Sequence, residues 1–186
     1  MTQPIRLSSL TGAPAAGFEQ PFEMLEACHE RVHRMLALLG RLREHLHGHG
    51  ADEQARQAAR DVMRYFDQAA PEHHRDEERH VFPPLLAQND PATVAVVVRL
   101  QQDHLQMESR WAAARIVLSS LAAGELQALA PHEEAVLDAF ASLYAGHIEA
   151  EEQIAYPTAA ALLPGEALQE MSRDMMQRRG LPPAKG

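Results

Sequence analysis

Two stretches of this chain pair a histidine with a glutamate one helical turn later. His73 to Pro83 (HHRDEERHVFP) and His147 to Pro157 (HIEAEEQIAYP) both read His-x-x-x-Glu-Glu-x-x-apolar-aromatic-Pro, 74 residues apart. On an α-helix residues i and i+4 share a face, about 6 Å apart at Cβ. His73 with Glu77, and His147 with Glu151, therefore each aim an imidazole and a carboxylate at one point, which suits a metal ion. One such pair is common on solvated helix faces. Its recurrence with the second glutamate, the aromatic and the proline in register is a far more specific signal.

The elements that must position these residues read as helices throughout. Apolar residues recur at helical spacing from about Phe18 to Leu46, a helix that carries His29 and stops at Gly48 and Gly50. A second helix is expected from about Asp52 to Val81. Pro71 should bend it just ahead of His73, and Pro83 with Pro84 should end or kink it. Asp90 and Pro91 make an N-cap and first helical position for a third helix, which carries His104 and runs to about Ala123. Pro131 with Glu133 and Glu134 opens a fourth, acidic side chains being favoured at the positive end of a helix dipole. It continues to about Tyr156, where Pro157 should kink or end it. A shorter amphipathic segment with Leu168, Met171 and Met175 lies between Gly165 and Gly180.

His29 and His104 are separated by 75 residues, almost the offset of the two motifs. Helices one and two thus look like one αα-hairpin, and helices three and four like its second copy. The expected fold is all-α: an up-down-up-down four-helix bundle of two repeated αα-hairpins over residues 21–163. An N-terminal arm (1–20) precedes it, and a short C-terminal helix and tail (164–186) follow. At about 1.5 Å per residue, each motif histidine lies within roughly a helical turn of the level of its hairpin partner, so all four can share one layer.

A chain of 186 residues, 46% apolar, has the size of one domain and the means to build a core. Its formal net charge of −9 argues against a phosphate-binding surface, so no nucleic-acid partner is expected. No stretch approaches the roughly 20 apolar residues that span a bilayer, and the first residues lack the layout of a secretory signal. A cytoplasmic location and no membrane partner are the expectation. The lone Cys28 can form no internal disulfide.

Seven side chains are candidate metal ligands: His29, His73, Glu77, His104, Glu108, His147 and Glu151. Glu108 joins the set through its i+4 relation to His104. Three neighbouring buried carboxylates repel one another unless cations separate them, and a pair of divalent ions does so. Imidazole with carboxylate suits iron, manganese or zinc. Glu78 and Glu152, turned about 100° from the ligand face, are expected to support the site or pair at the surface. His33, one turn after His29, is an alternative extra ligand. His74, His80 and His132 are assigned to the surface. His45, His47 and His49 are assigned to a helix C-terminus, and Tyr144 to the core or the lining of the site.

This layout resembles the hemerythrin-like (HHE cation-binding) family. The resemblance rests on the two motifs and the single histidines 29 and 104, and covers roughly residues 20 to 160. It implies a four-helix bundle with two non-haem irons. Glu77 and Glu151 would bridge them, His29, His73, His104 and His147 would be terminal ligands, and one iron would keep an open position for O₂ or NO. Oxygen-carrying members have a histidine where this chain has Glu108, and one residue more before the last carboxylate, which they supply as aspartate. An anion in place of a neutral ligand favours the ferric state, which argues against reversible O₂ carriage. The expected function is binding of O₂, NO or a related small ligand for sensing, scavenging or iron handling. The alternative is a di-iron enzyme that reduces peroxide or O₂ or repairs iron–sulfur clusters. No output domain is visible, so a signal would leave through a partner protein or a second copy of the chain.

Overall fold

Local chemistry sets most helix boundaries in the computed structural model, which describes residues 17–181. Residues 1–16 of the expected arm and 182–186 of the expected tail lie outside the described residues. Helix α1 (Pro21–His49) begins with proline at its first position and ends at Gly50, whose φ of 70° is cheap only for glycine. Helix α2 (Glu53–Asp76) is capped by Asp52, which accepts the Ala55 N–H at 2.9 Å. Pro71 does not interrupt it. A π-helical turn (Glu77–Val81) and α3 (Phe82–Ala87) extend the same rod.

Helix α4 (Pro91–Ala123) starts on Asp90, which accepts the Thr93 N–H at 2.8 Å, and ends at Gly124 in the left-handed conformation. The fourth rod is more broken than its apolar spacing suggests. It comprises α5 (Pro131–Ala141), α6 (Tyr144–Ala150), a second π-helical turn (Glu151–Ala155) and α7 (Tyr156–Leu162). The break at Ser142–Leu143 coincides with a Ser142 hydroxyl that reaches back to the Ala139 carbonyl at 3.5 Å, a local bond that competes with the helix ladder. Helix α8 (Gly165–Arg178) is the last among the described residues. The described residues contain no strand, and no helix among them is long and apolar enough to cross a membrane.

Pro83 and Pro157 do not end their rods: a π turn precedes each, and the chain continues helically beyond it. In an α-helix a proline ring collides with the carbonyl four residues back. An i+5 bond from the Phe82 N–H to the Glu77 carbonyl, and from Tyr156 to Glu151, inserts an extra residue per turn ahead of each proline. The wider turn brings Glu77, Val81 and Phe82 inward together, and likewise Glu151, Ala155 and Tyr156.

The apolar interior is divided. One cluster, around Leu39, Phe66, Leu118 and Phe140, lies toward the Gly50 and Gly124 turns. The other, around Leu25, Phe82, Leu100 and Tyr156, is closed by Met171 and Met175 of α8. Between them lies a layer of buried polar groups: His29, His73, Glu77, His104, His147 and Glu151. Helix α8 also fastens the α2 rod, since the buried Asp76 carboxylate is paired with both Arg178 and Arg179.

Candidate metal centre

Each of the four rods delivers ligand-type side chains to this layer. Glu77 and Glu151 are completely buried at its centre, and each turns its two oxygens to different imidazoles. Glu151 Oε2 is 3.1 Å from His29 Nε2, whereas its Oε1 is 2.8 Å from His147 Nε2 and 3.8 Å from His104 Nε2. Glu77 Oε1 lies 3.5 Å from His73 Nε2, and its Oε2 lies 3.4 Å from His104 Nε2. His29 Nε2 and His73 Nε2 face each other at 3.0 Å.

The ligand-type atoms fall into two groups, each within 4.8 Å: His29, His73, Glu77 and Glu151 in one, and His74, His104 and His147 in the other. Several of these buried atoms (Glu77 Oε2, His104 Nε2, His147 Nε2 and both Glu151 oxygens) make no aligned hydrogen bond. Buried polar atoms are ordinarily paired, so lone pairs that converge without bonding one another fit cations between them.

The outward nitrogens of His29, His104 and His147 face acidic partners, whereas His73 Nδ1 is buried with none. His29 Nδ1 donates to Glu152 at 2.8 Å, and His104 Nδ1 donates to Glu78 at 3.0 Å. His147 Nδ1 faces Asp103 at 3.4 Å. A carboxylate on Nδ1 fixes the tautomer that leaves Nε2 free as a donor to metal. Glu78 and Glu152 thus support the histidine of the opposite hairpin, the first of the two roles their spacing left open.

Proton affinities in the layer diverge. Burial disfavours the His29 imidazolium, but Glu151 and other carboxylates outweigh it and raise the pKa to about 8. His104, likewise penalised by burial but flanked by Glu151 and Glu77, rises to about 10. Burial, then repulsion from Glu151, raises Glu77 to about 7. Glu151 goes the other way: despite burial, contacts with His104, His147 and His29 hold it well below the carboxylate range. His73 and His74 are pushed well down, first by burial and then by His29 and His104 respectively.

Six of the seven sequence candidates meet in this layer, and Glu108 does not. Glu108 is exposed and belongs to neither group. The inward stripe of α4 runs Val97, Leu100, His104, Met107, the half-buried Trp111, Ala114, Leu118 and Leu121, alternating steps of three and four, so the inward position after His104 is Met107. That pattern was readable in the sequence. His74, assigned to the surface, stacks on His104 with ring centroids 4.0 Å apart and joins its group. His33 is exposed, away from the site. The Tyr156 hydroxyl had no place in the expectations. It donates to Glu77 Oε1 and lies 3.2 Å from His29 Nε2.

A Haemophilus influenzae protein described only as uncharacterized is 31% identical over 164 residues, which cover 88% of this chain and 92% of that protein. The hemerythrin HHE cation-binding domain matches residues 20–159, the span that holds every residue of the layer. This chain belongs to the hemerythrin HHE cation-binding family.

Proposed function

We propose that the layer holds two metal ions, iron foremost and manganese or zinc by the same donor chemistry, which Glu77 and Glu151 would share. The carrying observation is the division of each central carboxylate between two imidazole groups, with Glu77 Oε2 and both Glu151 oxygens otherwise unbonded. On this reading His29 and His73 serve one ion, and His104, His147 and His74 the other, with His74 in the place that the spacing gave to Glu108. Bound there, iron would supply the redox change and the affinity for O₂ or NO. The protein's own part is to flank the layer with two apolar cores and to aim the Nε2 atoms of His29, His104 and His147 inward through Glu152, Glu78 and Asp103.

The function this supports is binding of O₂, NO or a related small ligand for sensing, scavenging or iron handling. Elemental analysis after anaerobic iron reconstitution should give two irons per chain, and a value near zero would overturn the reading. Stopped-flow mixing of the reduced protein with O₂ or NO should then give a persistent spectral change. Continued consumption of the gas would signal the enzyme alternative.

A further inference from the structure

A cleft of about 360 Å³ opens between α2 and α4, with His74 and His104 at its inner end. A diatomic ligand needs a small fraction of that space, and a cavity of about 150 Å³ already accommodates a benzene ring. One wall is aromatic: Phe66 packs against Trp111 at 5.2 Å and Tyr144 at 5.7 Å between ring centroids. This wall is braced from behind. Trp111 Nε1 donates to Asp67 at 3.0 Å, and Arg115 Nε holds the same carboxylate at 2.8 Å. Phe66 and Tyr144 are themselves almost wholly covered, so a ring entering the cleft meets the half-buried Trp111, which they and Asp67 hold in place and which costs little to order.

The rim is acidic and unevenly committed. Glu78 is occupied by His104 and Gln101, and Arg75 by Glu72. Glu108 lines the same cleft and has no ion pair or hydrogen bond among the described residues. The whole chain carries a net charge of −9. We infer that the cleft binds a small aromatic amine, its ring against Trp111 and its ammonium group at Glu108. The inference meets the metal-site reading only at the cleft's inner end.

Trp111 is the only tryptophan of the chain, so its fluorescence reports occupancy directly. Zinc-loaded protein is titrated with 2-phenylethylamine and, as a size-matched anion, phenylacetate. The amine should give a saturable change with a Kd of about 1 mM or tighter, in keeping with so small a ligand, and phenylacetate should bind several-fold more weakly. Glu108→Gln lies at an exposed position and should weaken the amine about threefold while leaving phenylacetate unchanged or tighter. Ala70→Leu narrows the cleft and should abolish both signals; a melting curve shows whether that variant folds. Absence of saturation by the amine, equal binding of the two probes, or an unaltered ratio in Glu108→Gln would overturn the inference. Zinc content is measured on the same sample. Failure to take up zinc counts against the metal site alone, because the metal-free protein presents the same cleft walls to the probes.

Discussion

The two halves of the site descend from one sequence pattern and differ where that pattern lapses. In each half an aromatic from the opposite hairpin stacks on a histidine, Phe82 on His104 and Tyr156 on His29, and a glutamate from the opposite hairpin holds that histidine's Nδ1. The departures are few. Tyr156 adds a hydroxyl that reaches Glu77, and Phe82 has none. His74 adds an imidazole where the second copy has Ile148, and Asp103 backs His147 where the matching position of the first copy is Cys28. The His29–His73 half is thereby nitrogen-poor and supplied with a phenol, while the other half is imidazole-rich and faces the cleft. Near-symmetry builds a two-ion layer, and its few exceptions make the two positions chemically unequal.

Removing a group shared by both halves should have the largest effect. Glu151→Ala deprives both proposed ions of an oxygen and leaves His29, His104 and His147 without their common anion. Elemental analysis should fall from two ions toward none. Next comes removal of the metal itself, since ligand binding stabilises the folded state by about 4 kcal/mol at a thousandfold excess over Kd. For a chain of this size that corresponds to roughly 10 °C in melting temperature, and an unchanged melting curve after verified chelation would sink the shared site.

The inequality of the halves is tested by single substitutions. His74→Ala should cost about one ion per chain, whereas Ile148→Ala at the matching place, and Glu108→Ala, should leave the metal count unaltered. Equal loss in His74→Ala and Glu108→Ala would restore the ligand set expected from spacing. Tyr156→Phe makes the halves alike by deleting one buried hydrogen bond to a charged group. It should lower the stability of the metal-free protein by about 1–3 kcal/mol while keeping both ions.

The smallest effect expected is that of pH. His29 rises from its ordinary value to about 8, His104 to about 10 and Glu77 to about 7. A group whose pKa is higher in the folded protein stabilises it below the unfolded value, and that stability is lost as pH rises through the folded one. Metal-free protein should therefore melt a few degrees lower at pH 8 than at pH 6.5. With metal the trend should reverse, because protons compete with metal for His29 and His104. Parallel trends with and without metal would mean that these histidines are not ligands.

Much of this molecule was legible in its sequence because the informative spacings are local or repeated. Helical periodicity gave the four rods, and the i+4 pairs with their 74-residue recurrence gave His73, Glu77, His147 and Glu151. The matching offset added His29 and His104. Tertiary structure decided what lies about 100° around a helix from the ligand face. His74 turns inward only because α2 packs beside α4, a relation between distant segments that periodicity within α2 does not encode. Glu108 is a different case: it stays outside because the inward stripe of α4 steps by three after His104, a pattern already spelled by its apolar residues and passed over by the i+4 rule. The π turns, too, needed the folded chain: proline states only that an α-helix cannot continue unchanged, and the burial of Phe82 and Tyr156 selects a wider turn over a break.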